Sequence, residues 1–126
     1  MSEERKLHMT IEIDRFRKLN LYKQAIRFTH RVLDWTNQNQ DEIGWKKCIW
    51  IRKKAMDIPK NIAKASVDIN VRNKYKKLNR GKDALQNLMP VLKQYGMDDN
   101  DLSVDLLKLF NGYFGFLNKK KNAYRG

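Results

Sequence analysis

The stretch CIWIRKKAMDIPKNIAKASVDI, residues 48–69, decides the fold because it carries a helical repeat straight through a proline. Cys48, Ile51, Ala55, Ile58, Ile62, Ala65 and Ile69 step by three and four in alternation, the spacing that gathers apolar side chains on one helix face. Pro59 lacks the N–H a helix interior uses, costs about 3 kcal/mol there, and biases Ile58 away from helical geometry. A boundary at Ile58 would let the repeat slip phase, and it does not. One long helix, kinked at Pro59 and held by its packing, is expected. It should open near Glu42, Ile43 and Gly44, with Asp41 a candidate N-cap. Extended to about Asn70 it would be roughly 40 Å long at 1.5 Å per residue, the height of a bundle.

The same alternation recurs at Leu21, Ala25, Phe28, Val32 and Trp35, at Leu78, Gly81, Leu85, Leu88, Leu92 and Tyr95, and at Leu102, Leu106, Leu109, Tyr113 and Phe116. Between these segments lie TNQNQDEIG, a short stretch near Asn70, and GMDDND, rich in residues that turn chains and cap helices. Asp99 or Asn100 would cap the last helix, with acids against its positive dipole end. Connections this short join antiparallel neighbours. The expectation is an all-α protein, an antiparallel up-down four-helix bundle with a long kinked second helix. Residues 1–15 read as an N-terminal arm, 16–118 as the bundle and 119–126 as a basic C-terminal tail. Pro90 would end the third helix early.

At 126 residues, 41% apolar and 33% charged, the chain has one domain's length and enough core-forming side chains to fold alone. No apolar run approaches the ~20 residues a membrane span needs, and MSEERKLHMT has no apolar core of a secretion signal. A cytoplasmic location is expected. Cys48 is the single cysteine, which excludes an internal disulfide and a thiolate zinc cluster and reads as a small buried hydrophobe.

The 27 basic and 14 acidic residues leave +13, and residues 44–82 account for +11 of it, with only Asp57 and Asp68 as acids. Asp98, Asp99, Asp101 and Asp105 form the opposite extreme. With Cys48, Ala55 and Ile62 inward, Lys46, Lys47, Lys53, Lys54, Lys60 and Lys64 share the outer side of the second helix. Arg72, Lys76, Lys77 and Arg80 do the same on the third, flanked by Lys82. A tight turn near Asn70 would bring these stretches together at one end of the bundle. A solvated lysine face normally interleaves Glu at i,i+4; here such partners are nearly absent. These ten residues are the candidate nucleic-acid-binding set, since clustered cations bind polyanions by releasing counterions. A plain soluble surface and an anionic membrane surface are the competing readings, the latter opposed because large apolar residues do not concentrate opposite the lysines on an exposed face.

The row Ile49, Met56, Ala63 widens the apolar stripe of the second helix beyond a bundle seam; it is either a generous core or a subunit contact in a homo-oligomer. Catalysis is not expected. His8 and His30 stand alone, the aspartates Asp34, Asp41, Asp57, Asp68 and Asp83 are scattered, and RGKD at 80–83 is no phosphate loop. No catalytic residue, metal site or cofactor is implied. Tyr22, Tyr75, Tyr95, Trp35 and Trp45 read as core or interface aromatics, while Trp50, Tyr75 or Tyr124 could stack bases.

RFRKLNLYKQA at 15–25 and IRKKAMDIPKNIAKA at 51–65 resemble the four-helix-bundle proteins encoded by intervening sequences of large-subunit ribosomal RNA genes. The matching residues are Leu19, Tyr22, Ala25, Arg52, Ala55, Ile58, Pro59, Asn61, Ile62 and Ala63; Lys64-Ala65 replaces that family's usual Glu-Gly, and Pro90 departs from its pattern. KYKKLNRGKDALQNLMPVLKQYG at 74–96 and NGYFGFLNKKKN look more like the accessory variability determinant (Avd) of diversity-generating retroelements, in the same superfamily. The resemblance implies a kinked second helix at Pro59, a homopentamer, and binding to a reverse transcriptase and to template RNA or cDNA, RNA being favoured over DNA. The alternative it leaves is a four-helix protein-protein interaction module whose target is a protein, such as a polymerase with an acidic surface.

Overall fold

The structure is a computed structural model that describes residues 2–97 and 100–125, with side chains over 2–97 and 101–119. The regular elements among these residues are all helices: α1 Glu3–Gln38, α2 Gln40–Ile43, α3 Trp45–Ser66, α4 Val71–Gln94 and α5 Asn100–Arg125. α3 packs on α1 and α4, and α5 packs on α1 and α4, so the four long helices close a ring of neighbours around one core.

Several expected boundaries move. Residues 3–15, expected as an arm, are the first turns of α1, started by Ser2, whose hydroxyl accepts the Arg5 N–H, and by Glu3 and Glu4 against the dipole. Residues 119–125, expected as a tail, continue α5. Asp41 does not cap the long helix; it lies inside α2, and α3 is entered from Gly44 at φ 87°, a left-handed conformation that suits glycine. Asp99 lies outside the described residues. Pro90 does not end α4, which continues to Gln94; Gln86, four residues back, whose carbonyl the proline cannot serve, is exposed.

α3 stops at Ser66, and Ile69, expected inward, is 98% exposed. The reason is local. The Asp68 carboxylate accepts the Asn70 N–H at 3.0 Å and the Asn70 side chain accepts the Asn73 N–H at 3.1 Å, so short polar side chains divert the backbone into a turn and cap α4.

The remaining stripes are buried where periodicity puts them: Leu21, Ala25, Phe28 and Val32 on α1, Cys48 through Ala65 on α3, and Leu78, Leu85, Leu88 and Leu92 on α4. On α5 the buried set is Ser103, Leu106, Phe110, Tyr113 and Leu117, rotated by about one residue from the expected Leu102, Leu106, Leu109, Tyr113 and Phe116. Phe110 fixes that rotation: a Cβ on Gly81 of α4 would lie 3.3 Å from its ring and 3.4 Å from the Ile58 carbonyl, so the bare glycine makes room for the phenyl.

α3 runs through Pro59 without interruption. A residue with an N–H at 59 would bond the Ala55 carbonyl; that carbonyl instead accepts the Thr29 hydroxyl of α1 at 3.0 Å, in a buried contact shared with the Ala25 carbonyl at 2.8 Å. The acceptor released by the proline is therefore satisfied from the neighbouring helix, which removes most of the penalty of burying it.

A second polar contact joins α1 to α5. Asp14 is buried, accepts the Tyr113 hydroxyl at 2.7 Å and pairs with Lys18 at 2.8 Å. Burial is the largest single influence on Asp14 and would raise its pKa; the bonds from Lys18 and Tyr113 together outweigh it, holding the carboxyl below its usual range. Burial, then the bond to Asp14, pushes the Tyr113 phenol far upward. Because the folded value is depressed, this contribution is present above the unfolded pKa of about 3.9 and is lost as pH falls through the folded value. Asp14→Asn is expected to lower stability at neutral pH and to flatten the acid limb. Chemical-denaturation midpoints between about pH 7 and 3 check this, and a constant wild-type advantage across that range would contradict it.

Candidate nucleic-acid interface

α3 and α4 form a groove of about 360 Å³, walled by Lys54, Asp57, Lys60, Asn61 and Lys64 on one side and Arg80, Asp83, Ala84 and Asn87 on the other. The periodicity that buries Ala55, Ile58 and Ile62 leaves Lys54, Asp57, Asn61 and Lys64 on the flank turned to α4. Four of the ten candidate residues, Lys54, Lys60, Lys64 and Arg80, thus share one groove.

The other six do not line it. Lys46, Lys53, Arg72 and Lys76 are exposed elsewhere on α3 and α4, and Lys47 is half-buried over the Trp50 ring, 4.9 Å from its centroid. Lys54 flanks the same ring at 5.9 Å, so Trp50 is half-buried and covered by two ammonium stems. Lys77 is committed to Asp68, and its hydrogen bond is the main cause holding that carboxyl below the usual range. Among the described residues no carboxylate pairs with the other nine candidate cations. The first turns of α3 and α4 carry no acid. Lys46, Lys47 and Arg72 therefore sit at positive dipole ends, where a cation is disfavoured by roughly 0.3–1 kcal/mol.

Asp57, Asn61, Asp83 and Asn87 were absent from the candidate set. The sequence shows them as isolated polar residues, and only the packing of α3 on α4 gathers them. Among the described residues neither Asp57 nor Asp83 has a cationic partner within 4.0 Å, while the Asn61 amide donates to the Asp57 carbonyl at 2.7 Å.

The aromatic candidates separate. Tyr75 is half-buried, stacked on Phe114 and bonded through its hydroxyl to Asn118, so its face is taken. The Tyr124 side chain lies outside the described residues. Trp35 and Tyr95 pack against the core, whereas Trp45 is 70% exposed. The row Ile49, Met56, Ala63 is exposed and does not widen the core; with Trp45 it leaves an apolar seam on α3. A second apolar cleft, about 540 Å³, lies between α1 and α5, with Met9, Ile13, Phe16, Leu109 and Tyr113 on its walls.

His8 pairs with Glu12 at 2.9 Å on the exposed face of α1, and His30 is exposed on the same helix. Among the described residues no His, Cys, Asp and Glu side chains gather in a group that could hold a metal ion, and no helix is long and apolar enough to cross a membrane. No family model, curated protein or solved structure matches this chain.

Proposed function

We propose that this protein is a non-enzymatic nucleic-acid-binding accessory protein, an Avd-like partner of a reverse transcriptase that holds template RNA or cDNA through the basic α3–α4 face. The carrying observation is the groove in which Lys54, Lys60, Lys64 and Arg80 converge without ion-pair partners among the described residues. Unpaired cations at short spacing retain counterions that a polyanion displaces, and phosphate contacts of this kind position a strand without selecting its sequence. The finer architecture belongs to the same reading: an antiparallel up-down bundle with a second long helix bent at Pro59. Its support is the opposed run of contact numbers within a helix pair: Asn37 with Arg52 and Thr29 with Ala55 between α1 and α3, and Tyr75 with Asn118 and Gly81 with Phe110 between α4 and α5. The resemblance of Arg52, Ala55, Ile58, Pro59, Asn61, Ile62 and Ala63 to the intervening-sequence and Avd bundles adds the suspected partner.

Salt titration tests the binding mode. Affinity for a labelled RNA strand should fall by at least tenfold between about 50 and 200 mM salt, and a flat dependence would remove the counterion argument.

Self-association is the second element, supported by exposed Trp45, Ile49 and Met56 along one seam of α3. Light scattering is expected to give a mass several times the monomer's, and Ile49→Glu with Met56→Glu is expected to return it to a monomer. A monomeric wild-type protein would leave that seam to a different protein, which is the protein-interaction module reading.

A further inference from the structure

Resting on the nucleic-acid reading above, we infer that the α3–α4 groove takes a single strand with its bases turned inward, and that it favours bases carrying an exocyclic amino group. The composition of the groove is the reason. A groove that met only phosphates would gain nothing from carboxylates, yet Asp57 and Asp83 sit on its opposite walls. Among the described residues neither closes an ion pair within 4.0 Å, so the acceptor oxygens of both remain open to a ligand. A carboxylate accepts hydrogen bonds and cannot donate them. The base-edge groups that suit it are N–H donors, chiefly the amino hydrogens of cytosine, adenine and guanine; uracil has no amino group and offers only its N3–H, flanked by two carbonyl oxygens that repel a carboxylate. Carboxylate pairing with the cytosine amino group is an established form of base readout.

The rest of the groove fits. Lys60, Lys64 and Arg80 are exposed, where a backbone passes, and Ala84 is small and buried between the two carboxylates' helices. At about 360 Å³ the groove has the volume of a small-ligand cleft. A duplex hides its pairing edges and would bring Asp57 and Asp83 against phosphates, a like-charge contact that opposes binding. Single strands recognised by their base edges avoid this.

The test uses the full chain and labelled oligomers of one length: oligo-C, oligo-U, an abasic phosphodiester strand and a duplex. Oligo-C should bind at least fivefold more tightly than oligo-U or the duplex. In Asp57→Ala with Asp83→Ala, which removes both the charges and the acceptor oxygens, binding of the abasic strand should strengthen while the oligo-C preference over oligo-U collapses towards unity. Charge alone would strengthen all ligands equally and leave that ratio unchanged, so an unchanged ratio overturns the inference. Equal binding of oligo-C, oligo-U and abasic strands by the wild-type protein overturns it too, with the function proposed above intact. Absence of binding to every oligomer, the abasic strand included, overturns both.

Discussion

Reversing the four groove cations together, Lys54→Glu, Lys60→Glu, Lys64→Glu and Arg80→Glu, is expected to weaken single-strand binding by on the order of 100-fold or more at physiological salt. Each phosphate contact removed takes about one unit from the slope of log affinity against log salt, so the slope should shrink by about three to four. Lys60, Lys64 and Arg80 are exposed and none of the four is ion-paired among the described residues. Replacing the three exposed cations should change folding stability by no more than about 0.5 kcal/mol each, and Lys54→Glu adds the loss of its ammonium from the Trp50 ring, about 0.5–1 kcal/mol; circular dichroism and a denaturation midpoint check that the fold survives. The informative control is Lys46→Glu, Lys53→Glu, Arg72→Glu and Lys76→Glu, an equal charge change on exposed residues outside the groove. A much smaller loss there locates the site. Equal losses in the two variants would mean that the field of the whole basic surface, and not the groove, holds the strand.

Thr29→Val is expected to cost about 1–3 kcal/mol, although it exchanges side chains of nearly equal size. The Ala25 carbonyl keeps its own helical environment, but the buried Ala55 carbonyl loses the hydroxyl that replaces the N–H missing at Pro59. Pro59→Ala restores an N–H in register with that carbonyl. In the Pro59→Ala background, Thr29→Val should therefore cost distinctly less, with a coupling energy of about 1 kcal/mol or more. Four urea denaturation curves complete the cycle. If the threonine substitution costs the same with proline and with alanine at 59, the two residues are independent and the proline is tolerated for another reason.

The proline illustrates how far the chain could be read. Phase continuity from Cys48 to Ala65 implied a single helix through Pro59, because a three-four repeat is a local property and survives any placement of neighbours. What satisfies the orphaned carbonyl was not legible, since Thr29 lies 26 residues away and nothing in its own surroundings marks it. The same division holds on α5. Its apolar residues fill so much of the circumference that spacing alone left the phase ambiguous by one residue, and Phe110 was resolved only by the space over Gly81. The N-terminal turns were misread for the complementary reason: Leu7, Met9, Ile11 and Ile13 are exposed and have no core stripe to complete, yet a capped helix forms there.

The helical class, the inner faces of α1, α3 and α4, the turn at Asn70 and the concentration of positive charge in one third of the chain could all be read from the residues in order. These follow from short-range physics: side-chain period, capping and composition. Packing between helices settled which four cations line one groove, that Asp57 of α3 and Asp83 of α4 line it with them, that Lys77 is committed to Asp68, and that Asp14 is buried against Tyr113. Those facts depend on the rotation and offset of one helix against another. Rotation and offset are set by packing such as Phe110 on Gly81, between residues whose separation along the chain carries no local signal.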